Sequence, residues 1–198
     1  MKLYLVRHGE TDKNANGFFY GWTDCDINKN GIRQAKALQE FFKDIPIDEM
    51  YASDLLRASH TADIIRGERE IPYLRCNCFR ELYYGDWEDK PASYIKENFA
   101  DELKGWHSNW MESQMPNGET FEEFYTRVTQ GLDALIAGGG EKTVVLVSHN
   151  GPMSAMLCHL TGAGAGSFWR FPSYQGCFSS VNVIGDRILI DKINCSVE

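Results

Sequence analysis

Apolar residues recur along this chain in three rhythms, and each predicts an element. The continuous runs Tyr4-Leu5-Val6 and Val144-Val145-Leu146-Val147 are short and read as strands buried on both faces. A helical period links Ile32, Ala35, Leu38, Phe41 and Phe42, with Gly31 and Asn28 or Asn30 at its start. It recurs in Leu55, Ala58, Thr61, Ala62 and Ile65, closed by Gly67. A third helix follows Phe121, Phe124, Tyr125, Val128, Leu132 and Leu135, opened by a Thr120/Glu123 capping box and ended by the glycines at 138–140. "IDEMYAS" reads as a short strand, and "SSVNVIGDRILIDKIN" alternates around Gly185-Asp186, a dipeptide suited to a two-residue hairpin turn.

Strand followed by helix, twice over, predicts a parallel sheet with crossover helices. The stretch 88–118, polar and aromatic and holding Trp106 and Trp110, falls outside these rhythms and is expected to form short helices that cap the sheet. "GAGAGS" at 162–167 lacks the spacing of a dinucleotide fingerprint and reads as a flexible connection. With no internal repeat, low-complexity tract or linker, residues 1–198 are read as one domain.

Charge, the length of apolar runs and the cysteines narrow the reading further. The 198 residues carry a formal net charge of −8, so nothing favours nucleic acid or an anionic membrane as partner; an anionic substrate has to be held by a few placed arginines. The opening "MKLYLVRHGE" is too short an apolar stretch for a secretory signal, and no later run is long enough to cross a bilayer, which predicts a cytoplasmic protein. The six cysteines are scattered, apart from one C-x-C pair, and are expected as unpaired thiols rather than a zinc site.

The chemistry sits where the two buried strands stop. One ends in Arg7, His8, Gly9 and Glu10, the other in Ser148, His149, Asn150 and Gly151. If the strands are neighbours, Arg7, His8 and His149 share one pocket at the carboxyl edge of the sheet. His60, His107 and His159 have no such partner motif, and His60 and His159 fall on predicted helices where packing is the commoner use.

Four segments, "LVRHGETDKN", "SDLLRASHTA", "RELYYGDWED" and "VSHNG", occur in order across nearly the whole chain and resemble the motif set of the histidine phosphatase superfamily, also called phosphoglycerate mutase-like. That resemblance implies a three-layer α/β/α fold with a mainly parallel central sheet and a small helical cap. It implies that His8 is a nucleophile forming phosphohistidine, that Arg7, Arg57 and His149 clamp phosphate, and that Glu81 is the proton donor. Asn14 would add a side-chain donor to the phosphoryl oxygens, and Asn150, with the backbone after His149, a further contact. No metal ion and no cofactor are expected.

The same chemistry follows from the residue types. A phosphate monoester dianion repels an anionic nucleophile, so a neutral imidazole suits the attack once its other ring nitrogen is fixed by a hydrogen bond. Two arginine forks, and a protonated His149, would stabilise the equatorial oxygens in place of a metal. The chain is short for a mutase with an extra cap insertion, so the resemblance favours hydrolysis of a small phosphate monoester. A mutase, a broad sugar phosphatase and a noncatalytic phosphate-binding protein are the alternatives. Phe18, Phe19, Tyr20, Trp22, Tyr83, Tyr84, Trp106 and Trp110 are candidates for a wall against a flat leaving group.

Overall fold

A computed structural model describes residues 1–197. The elements run β1 (Lys2–Arg7), α1 (Asp12–Ala15), β2 (Phe18–Phe19), α2 (Lys29–Phe41), β3 (Glu49–Ser53), α3 (Leu56–Arg66), β4 (Tyr73–Cys76), β5 (Lys90–Pro91), α4 (Ala92–Asn98), α5 (Ala100–Asn109), α6 (Phe121–Gly139), β6 (Thr143–Ser148), α7 (Asn150–Thr161), β7 (Phe178–Ile184) and β8 (Arg187–Cys195). Six strands form one sheet in the order β4-β3-β6-β1-β7-β8, and β2 pairs with β5 apart from it. The pairs β3–β4, β3–β6 and β1–β6 are parallel; β1–β7 and β7–β8 are antiparallel. The sheet is therefore mixed and mostly parallel, with helices against both faces.

The unbroken apolar runs of β1 and β6 have a simple cause, because alternate residues feed opposite cores. Leu3, Leu5, Val144 and Leu146 pack with Val128 and Leu132 of α6 and Met153 and Leu157 of α7. Val6, Val145 and Val147 pack on the other face with Leu38 of α2 and Ala58, Ala62 and Ile65 of α3. Each large apolar side chain so buried contributes about 1.5–3 kcal/mol. Asn28 caps α2 by accepting from Gly31 N at 2.9 Å, and Thr120 with Glu123 caps α6.

One strand went unpredicted and three expectations need correction. β4, an edge strand in which Leu74 is half exposed, shows no clear apolar rhythm and escapes a periodicity reading. Residues Ala165–Arg170 form a 3-10 helix rather than a flexible connection, anchored by buried Phe168. Cys76 and Cys78 are joined in a disulfide, since the turn after β4 folds Cys78 back to a Cα separation of 5.3 Å; Cys25, Cys158, Cys177 and Cys195 are free. His60 and His159 do not pack in the core: each is partly exposed and pairs with a carboxylate, Asp26 and Asp133 respectively.

The stretch 88–118 holds β5, α4 and α5, and Ile95 of α4 and Met115 are buried against the core shared by α6 and α7. No helix among the described residues is long and apolar enough to cross a membrane.

Candidate active site

β1 and β6 run parallel with Arg7 opposite Ser148, so the residues that follow, His8 and His149, emerge side by side. Their ring centroids are 5.1 Å apart. Arg57 arrives from the first turn of α3, which begins just beyond the carboxyl end of β3, and Glu81 from the segment after β4. Arg7, His8, Asn14, Arg57, Glu81 and Asn150 all border one cavity of about 280 Å³. His149 abuts it, fully buried beside His8.

His8 Nδ1–H donates to the Gly9 carbonyl at 2.7 Å, which leaves Nε2 with its lone pair. Gly9 is itself held by Thr61, whose Oγ1 accepts from Gly9 N at 3.0 Å and donates to the Arg57 carbonyl at 2.7 Å. A side chain at Gly9 has no room, because its Cβ would stand 2.5 Å from the Gly31 carbonyl oxygen. Burial, then Arg57, then Arg7 hold His8 well below the ordinary histidine range, so the imidazole is neutral.

Arg57, 1% exposed, places its guanidinium with three bonds: Nε to His149 Nδ1 at 3.1 Å, Nη2 to the Gly21 carbonyl at 2.6 Å and Nη1 to the Thr23 carbonyl at 3.2 Å. It lies 4.7 Å from the centroid of the Tyr20 ring. Because His149 Nδ1 accepts, the proton of the neutral ring sits on Nε2. Burial first, then Arg57 and His8, push His149 well below its ordinary value. A protonated His149, expected from the residue types, is thus replaced by a neutral N–H donor.

Arg7 donates through Nη1 to the Ser173 carbonyl, and burial lowers its pKa while Glu81 pulls the other way. Arg7 Nε and His149 Nε2 are buried and have no partner among the described residues. Glu81 accepts from Gly151 N at 3.1 Å and from Leu82 N at 3.0 Å, closing the first turn of α7, which has no side-chain cap of its own. Its backbone is gripped by Trp22 Nε1, 2.9 Å from the Glu81 carbonyl, and by Arg127 Nη2 at 3.3 Å.

Asn14 Oδ1 accepts from Thr11 N and Thr11 Oγ1, so its amide nitrogen is the donor end. Asn150 Oδ1 accepts from Ser173 N at 2.8 Å. Of the aromatic candidates, Phe18, Phe19, Tyr20 and Tyr84 border the cavity. Trp22 stacks with Arg80 and Tyr83, Trp106 borders an adjoining cleft, and Trp110 packs on Phe121 at 4.6 Å. Ser173 went unrecognised in the sequence, and Glu88 was read only as a member of the segment "RELYYGDWED", with no role assigned. Ser173 acts through its main chain; the Glu88 carboxylate takes the N–H groups of Gly21, Trp22, Thr23 and Tyr84 and so fixes the loop that anchors Arg57. Among the described residues no group of three His, Cys, Asp or Glu is placed to hold a metal ion.

Two histidines and two arginines thus meet at the carboxyl edge of an α/β sheet, a set of donors and cations whose chemistry suits a phosphoryl group. The chain belongs to the histidine phosphatase superfamily, whose branch 1 profile matches residues 3–196, and it is a phosphatase. It is 33% identical over 183 residues to the adenosylcobalamin/alpha-ribazole phosphatase of Salmonella typhimurium, covering 92% of this chain and 91% of that one. Phosphoserine phosphatase 1 of Hydrogenobacter thermophilus is 29% identical over 194 residues, 98% of this chain and 92% of that one. Among solved structures, the alpha-ribazole phosphatase from Shigella flexneri superposes with a TM-score of 0.94 at 30% identity, over 98% of this chain and 96% of that one.

Proposed function

We propose that this chain is a metal-independent phosphomonoesterase working through phosphohistidine at His8, and that its substrate is α-ribazole 5'-phosphate, an intermediate of cobalamin nucleotide-loop assembly. The observation that carries the chemistry is the His8 ring: neutral, with Nδ1–H on the Gly9 carbonyl and Nε2 as its free lone pair, on a cavity shared with Arg7, Arg57 and Glu81.

In the first step His8 Nε2 bonds to phosphorus as the ester P–O bond breaks, and Glu81 in its protonated form gives its proton to the leaving oxygen. Arg7, Arg57, the His149 Nε2–H and the Asn14 amide stabilise the equatorial oxygens as charge shifts. A buried donor without a partner costs about 1–3 kcal/mol, and a phosphoryl group seated here supplies acceptors to Arg7 Nε and His149 Nε2. In the second step Glu81 takes a proton from water, the water oxygen bonds to phosphorus, and the P–N bond breaks to release phosphate.

The substrate assignment is supported by similarity to the alpha-ribazole phosphatases over more than nine-tenths of the chain, and by the motifs "ELYYGDWED" and "FWRFPSYQGCFSSVNVI". The reading includes one domain, with residues 88–118 as its cap, working in the cytoplasm without a cofactor. A compact alkyl phosphate is the second reading, favoured by the similarity to phosphoserine phosphatase 1. Comparing kcat/KM for α-ribazole 5'-phosphate with phosphoserine, 3-phosphoglycerate and common sugar phosphates decides it: the proposal requires the first to lead by at least about tenfold, a difference of ~1.4 kcal/mol in transition-state binding.

A further inference from the structure

A second, narrower cleft of about 30 Å³ opens off the catalytic cavity and shares Glu81, Tyr84 and Asn150 with it. Its far wall is Trp106 of α5 and Trp169, whose rings meet edge to face with centroids 6.4 Å apart. The same two rings border an open groove of about 470 Å³ on the outer side. The two tryptophans thus stand between the cleft and the outer groove, and Glu81, read above as the proton donor to the leaving oxygen, borders both the cavity and the cleft.

The walls of the cleft select by chemistry. Apart from Glu81 it presents no charged side chain, and Leu82, Trp106, Phe121, Phe168 and Trp169 make its outer part apolar, which favours an apolar leaving group over a second carboxylate. Trp169 is 53% exposed although the residue before it, Phe168, is buried, so one face of an indole is held outward at the rim of the site. Trp110 packs against Trp169 at 5.6 Å and 74°, which fixes the ring from behind. A rigid, half-exposed indole beside a leaving-group exit is a stacking platform for a flat ring.

We infer that the Trp106–Trp169 pair is the leaving-group subsite and that it selects esters whose alcohol carries a flat aromatic base. This rests on the assignment of Glu81 and His8 above. The aromatic base stacks on the outward face of Trp169, in the open groove that this ring borders with Trp106.

The test uses two esters that differ only in the base, α-ribazole 5'-phosphate and ribose 5-phosphate, with adenosine 5'-monophosphate as a second flat-base ester. The wild-type protein is expected to prefer a base-bearing ester, and Trp169→Ala and Trp106→Ala to cut that preference by about 5- to 100-fold, chiefly in KM. Trp169→Phe should restore most of it. Equal kcat/KM for all three esters in the wild type, or equal losses on base-bearing and base-free esters in both variants, overturns the subsite while leaving the phosphatase reading intact. Failure to hydrolyse α-ribazole 5'-phosphate, with a tryptophan-dependent preference for adenosine 5'-monophosphate, overturns the proposed substrate and upholds the subsite.

Discussion

Arg57 Nε donates to His149 Nδ1 at 3.1 Å, and that contact alone places the His149 proton on Nε2. An arginine can never accept, so the tautomer is dictated by the partner. The same guanidinium holds the Gly21 and Thr23 carbonyls. Arg57→Lys keeps the charge but cannot make this three-point fork. Steady-state kinetics should show kcat/KM falling by about 10²- to 10³-fold; a loss under threefold would show that charge alone suffices.

Glu88 is expected to matter for stability and activity together. Its carboxylate collects four backbone N–H groups and the Thr23 hydroxyl, and removing it leaves those donors to water or to nothing. Glu88→Ala should lower the free energy of unfolding in urea by about 3 kcal/mol. Its kcat/KM should also drop, because the freed loop carries the anchors of Arg57; unchanged kinetics would separate the loop from the site.

Gly151 offers a way to move Glu81 without replacing it. A Cβ there would lie 2.1 Å from Glu81 Oε1, the movable end of a side chain, so Gly151→Ala should fold and displace the carboxylate. Like Glu81→Gln, it should slow alkyl esters by about 10²-fold, within the usual range for general acid catalysis. With 4-nitrophenyl phosphate, whose phenolate needs little protonation, both variants should retain a single-turnover burst. Equal defects with both leaving groups would remove Glu81 from the proton-donor role.

Acid should weaken the ligand-free fold through its two buried histidines. Both are held well below the ordinary value near 6.5 by burial first and Arg57 next. Below that value the unfolded chain binds protons that the native one does not, so stability is present above it and is lost as pH falls toward the native values. Each histidine contributes up to about 1.4 kcal/mol per pH unit in this window. Urea titrations at pH 7.5 and 5.5 should show the loss, and His8→Asn should reduce it; an unaltered pH slope in that variant would contradict the assignment.

The edge that carries the candidate site was legible because buried parallel strands leave long apolar runs, and Arg7, His8 and His149 stand where those runs stop. The hairpin at Gly185-Asp186 and the caps at Asn28 and Thr120 were legible because their chemistry is local. Ser173 left no mark, since it serves the site by its own carbonyl and N–H, which every residue type possesses. Trp169 was missed for a related reason: it follows a glycine-rich stretch read as unstructured, whereas Phe168 pins that stretch into a 3-10 helix beside the site. The tautomer of His149 depends on a contact spanning 92 positions, beyond the reach of any local pattern.

A phosphohistidine is a covalent intermediate and can be trapped as one. The protein is mixed with a ³²P-labelled substrate, quenched in alkali within one turnover, digested, and the labelled peptide mapped. An acid-labile phosphate is expected on Nε2 of His8, formed and consumed at rates compatible with turnover and absent in His8→Ala. Turnover with no trapped label, or a label that persists in His8→Ala, would contradict a phosphohistidine at His8.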